Sequence, residues 1–283
     1  MNSESGAVSI FSEDRIRLCP VTSYFVLTFA FSWGGALLLT APKLIHGEVV
    51  PKFTGLMMFP VMLLGPSTAG IVMTWIAGGR GSLRDLYLRM RRVRFPPGWY
   101  AALLLPSIVV LSILHFFRAV VSPAFAPNFF LVGLSFGLIA GFVEEIGWMG
   151  YAFPAMARKQ SALLSAVILG FMWGVWHMPV VDYLGTATPH GSYWMAYFFS
   201  FVAAMMAVRV LIAWLYANTG SVLLAQLMHA SSTGALVVFS PPRVTAGQEA
   251  LWYGAYALVL WVLVAVVVGV YGSDLTCRRE SQS

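Results

Sequence analysis

Residues 141–154 read GFVEEIGWMGYAFP, and Glu144 and Glu145 are the only charges between Arg118 and Arg158. An ionised side chain at bilayer depth costs several kcal/mol, from about 3 upward, so two in succession require a purpose. Successive helical positions point about 100° apart, which favours two separate roles over one shared site. Two further stretches carry polar groups inside apolar runs. In FMWGVWHMP, His177 closes an aromatic-rich segment; in LLAQLMHASSTG, His229 and Thr233 stand at i and i+4 on one helix face. A carboxylate, two imidazoles and a hydroxyl brought together can activate a water, hold a developing oxyanion and return a proton. Glu144, His177 and His229 can instead ligate zinc and leave a fourth position open, although no HExxH pairing occurs. His115, alone among apolar residues, reads as a satisfied core histidine.

Inward-facing polar groups on different helices of a bundle converge, so the next question is what positions them. The 283 residues are 59% hydrophobic and 10% charged, with a mean hydropathy of +0.79; that is the composition of a polytopic membrane protein. Runs of about 20 apolar residues, the length of one span, fall near 21–40, 54–77, 98–121, 129–156, 162–184, 193–217, 220–240 and 251–271. The expected fold is all-α, a membrane bundle of about eight transmembrane helices. It forms one domain over residues 21–272, between cytoplasmic tails at 1–20 and 273–283. The first span is too long for a secretory leader and lacks a small-residue cleavage signal, so it reads as an uncleaved anchor.

The net charge of +6 does not point to nucleic acid, because the basic residues sit in short loops beside apolar spans, where they set orientation. With the amino terminus inside, twelve of the 17 cations fall on the cytoplasmic face, among them Arg15, Arg17, Arg158, Lys159, Arg278 and Arg279. Both termini are therefore expected in the cytoplasm, and the expected location is a bacterial cytoplasmic membrane. The segment GGRGSLRDLYLRMRRVRF reads as a helix on anionic membrane lipid. Cys19 and Cys277, at the two ends, imply no disulfide.

Three motifs in order resemble the CAAX protease and bacteriocin-processing (CPBP, or Abi) intramembrane proteases. That family carries EExxxR, then an aromatic residue four before a histidine, then HxxxN. This chain has Glu144–Glu145 with Met149 where the arginine belongs, Trp173 before His177, and His229 with Thr233 in place of asparagine. The resemblance implies a glutamate-dependent endopeptidase acting on a membrane-associated protein or peptide, with no cofactor, zinc being the alternative. It implies Glu144 as general base, His177 orienting the water, and His229 with Thr233 holding the oxyanion. A catalytically weak scaffold or bacteriocin-immunity factor of the same fold is the second reading, since Met149 removes the motif's arginine and a hydroxyl replaces a carboxamide at Thr233. Met149 leaves Glu145 without its arginine at i+4, and Arg209, a cation at membrane depth, is the expected partner. Trp173 is expected to support the site beside them.

Overall fold

The computed structural model describes residues 19–48, 50, 52–181 and 190–276. Arg15, Arg17, Cys277, Arg278 and Arg279, placed in the cytoplasmic tails above, lie outside the described residues. The regular structure is helical, giving an all-α bundle. Its main helices are α1 (Pro20–Ile45), α2 (Lys52–Met90), α3 (Leu105–Val120), α4 (Gly133–Gly147), α5 (Ala162–Trp176), α6 (Trp194–Thr219), α7 (Val222–Phe239) and α8 (Ala246–Tyr271). Six of them, α1, α2, α3 with its lead-in from Gly98, α6, α7 and α8, are long and apolar enough to cross a membrane. The chain is an integral membrane protein, and large apolar side chains such as Leu38, Leu131 and Val270 cover its exterior.

Two expected spans differ from continuous helices. The run 129–156 becomes α4, a π-helical segment Trp148–Ala152, and a short helix Phe153–Ala157. Pro154 has no N–H to offer Gly150 four residues earlier; the freed Gly150 carbonyl instead accepts from Arg89 Nη2 at 3.0 Å. The run 162–184 yields α5, which ends at Trp176, followed by a single turn Met178–Val181. Pro179 has no N–H to give the Val175 carbonyl four residues earlier, so the hydrogen-bond ladder of α5 is interrupted beside His177.

α2 also departs from a plain span. Gly78 and Gly79 break it, with Gly79 at φ +59, the left-handed region that favours glycine. Beyond the break, residues 80–90 form the basic helix expected there, docked through buried Leu86 and through Arg89, which also donates to Tyr216 Oη at 2.9 Å.

Helices in lipid gain no hydrophobic advantage from meeting one another, so close approach relies on small residues. α4 meets α7 along Gly133, Gly137 and Gly141, and a Cβ at Gly141 would lie 2.4 Å from the Gln226 carbonyl oxygen. α5 meets α6 along Gly170 and Gly174, and a Cβ at Gly170 would lie 2.6 Å from Met206 Cα.

Hydrogen bonds between loops define the two ends of the bundle. At one end Ser221 Oγ donates to the Arg92 carbonyl, and Leu163 N donates to Ser273 O. At the other, Asn128 N and Phe130 N donate to Phe239 O and Val238 O. His115 is not a core histidine: it sits exposed on α3, its Nδ1 satisfied by the Leu111 carbonyl one turn back at 2.8 Å.

Candidate active site

Glu144 and Glu145 are both buried near the end of α4, and they take different partners. Glu144 Oε2 accepts two indole N–H groups, from Trp148 Nε1 at 3.0 Å and Trp173 Nε1 at 2.8 Å. Trp148 is four residues on and stacks over the same helix face; Trp173 reaches across from α5. An indole only donates, so these bonds hold the carboxylate without offering it a competing proton. Among the described residues no protein group bonds Oε1.

Glu145 faces α6 and α7. Arg209 Nη1 donates to both of its oxygens, at 2.7 and 2.8 Å, and His229 Nδ1 donates to Oε1 at 2.7 Å. Arg209 is fully buried, and its guanidinium carbon lies 4.3 Å from the Trp173 ring centroid, a cation–π contact. It does not snorkel. Met149, at the motif's arginine position, is buried with 0% exposure; the cation comes from another helix instead.

His177 caps the end of α5. Its Nδ1 donates to the Trp173 carbonyl at 2.7 Å; a carbonyl can only accept, so Nδ1 carries the proton and Nε2 of the neutral ring is left as an acceptor. Glu144, Trp173, His177, His229 and Thr233 line one cavity of about 280 Å³, whose remaining walls include Phe136, Trp176, Tyr197, Phe201 and Tyr253. A mostly apolar hollow with a few convergent polar groups is the usual form of a small-molecule or peptide-side-chain site. Of the expected site residues, Glu145 and Arg209 sit directly behind this cavity rather than on its wall.

Trp148 was not among the sequence candidates, although its position four residues after Glu144 is a legible signal. The aromatic walls from α6 and α8 had no such signal, because their spacing from the histidines is set by tertiary packing. For zinc, the fit is poor. Among the described residues no group of three His, Cys, Asp or Glu side chains is disposed to hold one ion, and Glu144 commits an oxygen to two indoles.

Residues 126–234 match the family model described as "Type II CAAX prenyl endopeptidase Rce1-like". That stretch begins before α4 and ends just past Thr233, so it contains Glu144, Trp173, His177, His229 and Thr233. A curated relative, "CAAX prenyl protease 2" of Methanococcus maripaludis, is 28% identical over 140 residues, 45% of this chain and 51% of the relative. The chain thus spans about half the length of the curated relative it matches. Residues 126–234 are thus similar to the Rce1-like type II CAAX prenyl endopeptidases, the CPBP or Abi proteases.

Proposed function

We propose that this protein is an intramembrane endopeptidase that hydrolyses a peptide bond in a membrane-associated protein or peptide by glutamate-activated water. The observation that carries this reading is Glu144, anchored through one oxygen by two indoles, in the same apolar cavity as His177, His229 and Thr233. A water between Glu144 Oε1 and His177 Nε2 donates one hydrogen to each, which turns its lone pair toward a substrate carbonyl. Glu144 takes the proton as the water attacks and returns it to the leaving amine. The oxyanion meets the Thr233 hydroxyl and the outer nitrogen of His229.

Holding the oxyanion requires the outer nitrogen of His229 to carry hydrogen, and Glu145, bonded to Nδ1 at 2.7 Å, orients that ring much as a third group orients the base of a catalytic triad.

The second reading, a scaffold of weak turnover, rests on Thr233 alone, since Arg209 compensates Met149. The deciding experiment compares the cellular membrane proteome with wild-type protein and with Glu144→Gln, which preserves shape and removes the base. Uncut substrate should accumulate in the variant, and the variant should remain folded in the membrane. Normal processing by Glu144→Gln defeats the mechanism. His177→Ala and His229→Ala should each lower turnover by about 100-fold or more, the usual cost of losing one preorganised donor or acceptor.

A further inference from the structure

The cavity occupies one half of the bundle. On α4 its walls run from Glu144 back through Ala140 and Phe136, and on α7 from His229 forward through Thr233 and Val237. α6 and α8 contribute from their first halves, with Tyr197, Phe201 and Tyr253. α4, α6 and α8 run toward the end where Ser221 holds Arg92, and α7 runs away from it. All four helices therefore place their lining residues toward the opposite end, where Phe130 pairs with Val238. Behind Glu144 the bundle is closed: Glu145, Trp148, Met149, Arg209 and Ile212 are each 0% exposed.

The two ends differ in charge. The closed end carries the six arginines between Arg80 and Arg94, with Arg158 and Lys159, whereas the cavity end has Lys43, Arg118 and Arg243 among its described side chains. Lys and Arg in short loops are retained on the cytoplasmic side. At the cavity end His190 stacks on Tyr197 at 3.7 Å and pairs with Glu249 at 3.3 Å, an ionisable pair suited to the headgroup level.

We infer that the catalytic cavity lies in the half of the membrane away from the cytoplasm and takes apolar peptide segments presented from that side. The substrate class rests on the protease reading; the sidedness does not, and it can be measured without turnover. In a Cys277→Ser chain, Cys19 is the sole cysteine and reports the basic end. In a Cys19→Ser/Cys277→Ser chain, Phe130→Cys reports the cavity rim and Asn128→Cys the loop beside it. Intact cells expressing each full chain are treated with a charged, membrane-impermeant maleimide. Asn128→Cys should be labelled in intact cells, with Phe130→Cys labelled alongside it where the rim is open, and Cys19 should be labelled only after permeabilisation. Labelling of Cys19 in intact cells, or of Asn128→Cys only after permeabilisation, overturns the inference and assigns the cavity to cytoplasmic tails. Labelling as expected together with normal processing by Glu144→Gln would sink the protease reading and leave the sidedness standing.

Discussion

Glu144 and Glu145 are adjacent in the chain and share no hydrogen-bond partner, because one helical step turns them onto different neighbours. The pair with Arg209 is buried on both sides, so Arg209→Met should strand Glu145. Removal of one member of a buried pair costs about 3–5 kcal/mol, less where the carboxyl takes up a proton. Adding Met149→Arg should recover part of the loss by restoring a cation at i+4, and thermal unfolding of both singles and the double in detergent measures it; strictly additive effects refute the exchange. Thr233 makes the opposite kind of prediction. Thr233→Asn restores a carboxamide with two donors and should raise turnover, whereas Thr233→Val should lower it by about 100-fold. Since the donor set does not assemble a metal site, activity should also survive exhaustive treatment with a strong chelator. Loss on chelation with recovery on zinc addition, and stoichiometric zinc by elemental analysis, would reverse that assignment.

At the level of elements, glycine seams do the positioning. Without the approach of α4 to α7 along Gly133, Gly137 and Gly141, Glu145 could not reach His229, and Gln226 could not donate to the Phe142 carbonyl at 2.8 Å. Helix propensity favours alanine over glycine by roughly 0.5–1 kcal/mol, which is the gain expected for Gly269→Ala, where an added Cβ meets nothing within 4 Å. Gly141→Ala should reverse the sign, because its Cβ must displace backbone of α7. Unfolding of the two variants in detergent is a direct comparison; equal effects would mean the seam is not a constraint. The G-x-x-x-G spacing is visible in the residue string at 133–141 and at 170–174. It says that a helix has a close neighbour but not which one, and for that reason the partners α7 and α6 emerge only in three dimensions.

For the molecule as a whole, composition and run length carry most of the architecture. The eight apolar runs correspond to the eight main helices, since only spanning helices satisfy every backbone group in lipid. What run length cannot register is where a helix breaks inside an apolar stretch. The π segment at Trp148–Ala152 and the stop at Trp176 each lie beside a single proline, Pro154 and Pro179, and hydropathy averages are blind to one residue. The three motif segments were legible by residue type, yet the exposed placement of His115 shows that a polar residue in an apolar run does not by itself face inward. The stop at Trp176 has a consequence for reactant supply. The 15 residues of α5 rise about 22 Å, leaving about 8 Å of a roughly 30 Å hydrocarbon layer beyond its end, where only the single turn Met178–Val181 follows. A hydrolase consumes one water per bond, and lipid holds almost none. The early stop sets His177 within about two helical turns of the aqueous boundary, so the second reactant has only a short diffusion path to Glu144, while the bundle behind Glu144 is packed shut.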